Sequence, residues 1–209
     1  MPPRPRFTKQ MIEDAAFELA KQRGIEAVAA REVAKSLQMT VTPIFACYHN
    51  MSDLKAAVYA RAKKDFQDYL GGCLEYKPAF QAFGLRWIRY ATENPNLYRM
   101  LVQALNTPEQ VKGLLQDLWE PLVAEVMEYF GTTRSAAIAM LEHMLVYGIG
   151  LCALLLQGAV TLSEEEISYR LSRQFCGLML ADRLEAGDFS VSAARELYRA
   201  ARETPRRRA

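Results

Sequence analysis

Residues 29–48, AAREVAKSLQMTVTPIFACY, read as two short helices joined by a tight turn. The first covers 31–37, with Val33, Ala34 and Leu37 on one face. Residues 38–40 form the connector, and 41–47 form the second helix. Thr40 is placed to cap that second helix, because its hydroxyl can accept from the free backbone N–H groups of the next turn. Pro43 falls in the first turn, where a missing N–H costs nothing. Two helices at a steep angle across such a turn make a helix-turn-helix. Its second helix suits the DNA major groove, whose width admits one helix.

Working outward, Thr8 caps a helix over 9–22 whose apolar positions Ile12, Ala15, Ala16 and Leu19 recur at helical spacing. Gly24 ends it, since glycine adopts positive φ freely. In the second helix of the pair, Ile44 and Phe45 are expected to point inward. Val41, Thr42, Pro43, Ala46, Cys47 and His49 then face outward or lie at the rim. That set offers no Arg, Asn or Gln for bidentate base contacts, so thymine methyls, Thr hydroxyl bonds and DNA shape would carry the specificity. Arg31, at the start of the preceding helix, is the candidate for a guanine contact; its alternatives are a phosphate or a surface ion pair. His49 and Asp53 stand four apart, but two ligands are too few for a metal site. Asn50 or Ser52 opens a helix running to about 75 through Leu54, Val58, Ala62, Phe66 and Leu70.

Residues 7–66 resemble the tetracycline-repressor (TetR) family of one-component transcription regulators. The landmarks are Ile12, Ala15, Ala16, Leu19 and Gly24, then Arg31, Val33, Ala34 and Leu37, then Thr40, Pro43, Ile44, Phe45 and Tyr48, and finally Asn50 and Leu54. The sequence departs from the family pattern in four places. Gln38 stands where the family usually has Gly, Phe45 where it has Tyr, Met51 where it has Lys, and Ala29 or Ala30 where it often has Thr. These departures remove backbone-phosphate contacts, which set register and affinity rather than sequence choice. Lys55, His49 and Asn50 are the candidate replacements. The resemblance implies DNA contacts from Arg31, Thr40, Val41, Thr42, Pro43, Phe45, Cys47, Tyr48, His49 and Lys55.

Charge is unevenly placed along the 209 residues. Positions 1–64 carry 11 Lys/Arg against 6 Asp/Glu, whereas 65–198 carry 10 against 17. A basic head on an acidic body fits a nucleic-acid-binding head. The four cysteines are far apart with no CxxC spacing, which points to a reducing, cytoplasmic setting without a metal cluster. The start, MPPRPRF, has no apolar run of the kind a signal peptide needs, and its Arg4 and Arg6 form a basic arm able to reach DNA.

Residues 144–162 are nineteen in number and uncharged, close to the ~20 a bilayer span needs. No Lys or Arg flanks them closely, and Glu164, Glu165 and Glu166 follow at once. The reading favoured is a buried helix of a dimer. Around it, Thr107 and Pro108 open a helix that reaches Gly131 and contains Pro121, Thr132 or Thr133 opens the apolar helix, and Ser163 with Glu166 makes a capping box for a helix to about 186. Gly148, Gly150 and Gly177 permit close helix contact. Ser192 caps a last short helix, followed by an unstructured Arg206, Arg207 and Arg208 tail.

The phrase RWIRYATENPNLYRMLV, 86–102, is similar to sensor domains of one branch of the same family. An all-α chain follows: a DNA-binding head over 7–66, an effector and dimerisation domain over 67–190, and a short helix and tail over 191–209. Candidate pocket residues are Phe83, Trp87, Tyr90, Tyr98, Trp119, Met140, His143, Met144 and Tyr147, with His143 alternatively a satisfied core histidine. Leu151, Leu155, Leu171, Phe175 and Leu178 are candidates for a dimer interface, which the resemblance implies is built from the last two long helices. No Walker loop, dinucleotide fingerprint, zinc signature or nucleophile elbow occurs, so neither a cofactor nor catalysis is expected. The expected function is a ligand-responsive repressor: a homodimer on a palindromic operator, with an apolar effector and no membrane. The alternative is a helical partner-binding protein whose head has lost DNA specificity.

Overall fold

A computed structural model describes residues 7–105, 107–187, 190–200 and 206–207. The fold is all-α. In chain order the helices are α1 (Lys9–Arg23), α2 (Ala30–Ser36), α3 (Thr42–Cys47), α4 (Met51–Gly71), α5 (Ala79–Glu93), α6 (Pro95–Gln103), α7 (Pro108–Phe130), α8 (Arg134–Leu156), α9 (Glu164–Glu185) and α10 (Val191–Ala200). A two-residue strand pair, β1 (Tyr76–Lys77) and β2 (Arg206–Arg207), runs antiparallel. The C-terminal tail is therefore not structureless at 206–207. The arm at 1–6 and Arg208 lie outside the described residues.

The chain divides into two compact units. The first contains Met1–Gln67 and Glu93–Leu114. It thus holds α6 as well as the head expected from the sequence. The local reason is visible in the contacts: the Asn96 amide donates to the Lys21 carbonyl at 3.0 Å, and the Tyr98 ring meets Phe66 edge-on at 6.5 Å. Thr8 accepts from the Met11 N–H at 3.2 Å, and Gly24 closes α1 at φ 86°. The inner surfaces of α1 to α4 are sealed by Ile12, Ala16, Val33, Ile44, Leu54 and Val58, all nearly inaccessible to solvent.

The link between α2 and α3 is built around Gln38, which sits at φ 52°. The Met39 N–H donates to the Ala34 carbonyl at 2.9 Å and the Gln38 N–H to the Lys35 carbonyl at 3.1 Å. That pair of bonds is a Schellman closure, whose left-handed position is usually glycine. Thr40 does not cap α3. Val41, helical at φ −73° and ψ −17°, takes the capping position, and the helix begins at Thr42, one residue later than expected. Nor do Ile44 and Phe45 both turn inward. Consecutive helical residues are about 100° apart, while residues four apart share a face. Ile44 and Tyr48 occupy the inward face, and Phe45 is left 49% exposed.

The second unit contains Asp68–Thr92 and Leu115–Ala209. Its core is an aromatic stack: Phe80 lies 4.8 Å from Phe175 and 5.4 Å from Phe130, ring centre to ring centre. Arg86 ties α5 to the end of α4, donating from Nε to the Tyr69 carbonyl at 2.8 Å. Glu125 accepts from the Phe80 N–H at 3.0 Å. Thr133 caps α8 through the Ala136 N–H, and Ser163 with Glu166 forms the reciprocal capping box at α9. The last helix is capped by Ser190, which accepts from the Ala193 N–H at 3.1 Å, rather than by Ser192. The helix α8 is long and apolar enough to cross a bilayer, and a third of its most apolar window is buried. It is not buried all round: Val146 is 73% exposed.

Candidate functional site

Two places in the molecule collect the residues singled out by sequence. The first is the outer side of α2 and α3. Arg31 is exposed and has no hydrogen-bond or ion-pair partner among the described residues. Its neighbour Glu32 is committed elsewhere, accepting from Arg23 Nη1 at 2.6 Å. The Arg23 guanidinium holds the Glu32 carboxyl below its ordinary value. Other head cations are engaged: Arg61 with Asp14, and Lys55 with Glu26 at 3.5 Å. The Lys55 pair is loose and Glu26 is open to solvent, so it holds the ammonium weakly.

Thr40, Val41, Thr42, Phe45, Ala46 and His49 are exposed, while Pro43 and Cys47 are half-buried. Tyr48 is not available as a contact residue. It is 5% exposed and its hydroxyl donates to Glu13 Oε1. Burial, reinforced by that carboxylate, raises the phenol above its ordinary range. Tyr48 is a buried strut of the three-helix core, four residues after Ile44 on the same face.

The second place is a cavity of about 50 Å³ inside the second unit. Three helices contribute in one pattern: Phe80, Phe83, Gly84 and Trp87 from α5, Leu141, Met144, Leu145 and Gly148 from α8, and Ser168, Leu171, Ser172 and Phe175 from α9. Each set is spaced i, i+3, i+4, i+7, the stripe one helix face presents. Trp119 and Leu122 of α7 complete the wall. No ionisable side chain of Asp, Glu, Lys, Arg or His lines it; the polar side chains are Gln81, Ser168 and Ser172. Gly84 matters for packing, because a Cβ there would lie 3.2 Å from Leu171 Cδ1. At Gly148, Gly150 and Gly177, expected to permit close helix contact, a Cβ would meet nothing within 4 Å among the described residues.

Of the pocket residues expected from sequence, Phe83, Trp87, Trp119 and Met144 line the cavity. Tyr90, Tyr98, Met140, His143 and Tyr147 do not. Tyr98 belongs to the first unit, Tyr90 packs on the Tyr69 ring at 5.4 Å, and Met140 is buried off the cavity wall. On α8, His143 is exposed and Tyr147 half-buried, both outside the 141/144/145/148 stripe. His143 is therefore neither a core histidine nor a cavity residue. The dimer candidates also need correction. Leu151, Leu171 and Phe175 are buried within their own chain, and the last two line the cavity. Leu155 and Leu178 are half-buried. The large apolar side chains left open on α8 and α9 are Val146, Leu154, Tyr169 and Leu184. Val146, Gly150 and Leu154 recur every four residues, a spacing that would have revealed this outer stripe.

No protein-family model matches the chain, and no curated protein matches it either. Among the described residues no group of three His, Cys, Asp or Glu side chains is gathered as metal ligands would be.

Proposed function

We propose that the protein is a sequence-specific DNA-binding regulator of transcription, acting as a homodimer whose DNA affinity is set by a small apolar ligand. The observation that carries this reading is Arg31: an exposed guanidinium with no carboxylate partner among the described residues, on the helix that precedes a short exposed helix in a basic head. In this reading α2 and α3 form a helix-turn-helix and α3 enters the major groove. The likeness of 7–66 to the tetracycline-repressor family points the same way. A second copy would cover the open stripe of Val146, Gly150 and Leu154 on α8, bringing two heads to a palindrome.

The cavity suits an uncharged, largely aromatic or aliphatic ligand with one or two groups for Ser168, Ser172 or Gln81. At about 50 Å³ it is far smaller than a ligand pocket of ordinary size, roughly 300–1,000 Å³. A ligand must therefore enlarge it, and so binds a second state of the body more tightly than this one. If that state holds DNA poorly, the ligand acts as an inducer, with a coupling of ~1–3 kcal/mol.

The test is selection from a random duplex pool at about 150 mM salt, where nonspecific phosphate binding is weakened. Enrichment of a palindrome supports the reading. Equal binding to all duplexes, with a steep salt dependence, would instead favour a head that has lost specificity.

A further inference from the structure

The recognition surface has an unusual make-up. Val41 is 37% exposed and Phe45 49% exposed, and four residues apart they share one helix face. Thr42 and Ala46 beside them are exposed as well. Nothing on α3 offers the paired donors and acceptors that guanine or adenine edges engage, which Arg, Asn or Gln would supply. Large apolar side chains open to water at a basic surface are explained by a partner that is anionic overall yet locally apolar. DNA meets both conditions. Its phosphates suit Lys35, which is exposed and near enough to Glu32 to help lower that carboxyl but forms no salt bridge among the described residues. The base edges of the major groove carry one apolar group, the thymine C5-methyl.

We infer that Val41 and Phe45 determine sequence choice by packing on thymine C5-methyl groups. This inference rests on the DNA-binding reading above. One helical turn separates the two side chains, about 6 Å at 1.5 Å per residue. Base pairs follow at about 3.4 Å, so the two thymines stand within about two base-pair steps of each other. The half-site is accordingly A·T-rich at its centre, with Arg31 reading a guanine at its edge. Phe45 is open enough that its replacement leaves the core untouched.

The experiment begins with the selected duplex and replaces thymines by deoxyuridine one at a time. That change deletes the methyl and keeps the O4 acceptor. At two thymines the affinity is expected to fall about fourfold each, the worth of one buried methyl-sized group. Phe45→Ala should abolish the uracil effect at one of them and Val41→Ala at the other, while Phe45→Leu should retain it. Equal affinity for thymine and uracil duplexes would overturn the inference. So would an unchanged uracil penalty in both alanine variants, or a half-site without thymine. Failure to select any duplex would overturn the DNA-binding reading, and this inference with it.

Discussion

The two units handle charge in opposite ways. In the first, several cations are paired: Arg23 with Glu32, Arg61 with Asp14, Lys55 with Glu26. Arg31 and Lys35 are exposed and form no salt bridge among the described residues. In the second, the interior space is bounded by aromatic rings and methyl groups, with Gln81, Ser168, Ser172 and the indole N–H groups of Trp87 and Trp119 as its polar side-chain groups. A surface with unspent positive charge selects a polyanion. A cavity without charge rejects ions, because stripping an ion of water costs more than an apolar wall returns. Under the proposed function the contrast would correspond to two different ligands for one chain, a polyanion for the first unit and an uncharged molecule for the second.

The largest effect expected comes from the body. Phe175→Ala removes the ring that stacks on Phe80 at 4.8 Å and packs on Phe130 at 5.2 Å. Loss of a buried phenyl group costs about 3–5 kcal/mol. Denaturant unfolding should show it, and a loss below ~1 kcal/mol would mean that the aromatic stack does not hold the body together. Alkali probes the same unit by a different route. Burial pushes the Cys73 thiol up to about 12 and Cys176 up to about 11, from an ordinary 9.0. Because the folded values are raised, this stability is complete below pH 9 and is lost as pH rises through 11 to 12. By pH 10 the two thiols together should cost about 1–3 kcal/mol. A variant with both Cys73→Ala and Cys176→Ala should show a flatter pH dependence over that range. An identical slope would place the alkaline sensitivity elsewhere.

The head is broken differently. Arg31→Ala should weaken binding to the selected duplex by about 1–3 kcal/mol, five- to a hundredfold or more, with unfolding unchanged. Lys55→Ala should cost less, because Lys55 already has a partner in Glu26. Equal affinity of the Arg31 variant and the parent would remove Arg31 from the interface and undo the contrast between spent and unspent charge.

How far the chain could be read in advance follows the same division. Local signals were legible: Thr8, Thr133 and the Ser163–Glu166 box mark helix starts because each satisfies backbone N–H groups within four residues. Facing was less legible. On a helix of six residues one position of phase decides which side chain is buried: Phe45, expected inward beside Ile44, is 49% exposed, and Tyr48, expected to contact DNA, is buried. The cavity was half legible, since aromatic type alone marks Phe83, Trp87 and Trp119 but equally Tyr90, Tyr98 and Tyr147, which do not line it. The 80/83/84/87, 141/144/145/148 and 168/171/172/175 stripes were present in the sequence, but only packing shows that they converge. The return of α6 to the first unit comes through long-range contacts that no local pattern announces, among them the Asn96 amide on the Lys21 carbonyl and the Tyr98 ring against Phe66.

The smallest effect is also the sharpest test of the turn. Gln38 holds φ at 52° to close α2, a conformation that costs a residue with a Cβ about 1–2 kcal/mol. Glycine removes that strain but adds freedom to the unfolded chain, worth roughly 0.5–1 kcal/mol. The net expectation for Gln38→Gly is a gain of about 0.5–1 kcal/mol, whereas Gln38→Val should destabilise, since a β-branched residue fits the left-handed region worst. Thermal unfolding of the two variants should therefore move in opposite directions. If both destabilised, the Gln38 side chain itself would be supporting the turn, and the two bonds from Met39 and Gln38 would not be what closes it. A stabilised Gly variant with unaltered duplex selection would show that the turn sets only the stability of the head, leaving its reading to Arg31 and the face of α3.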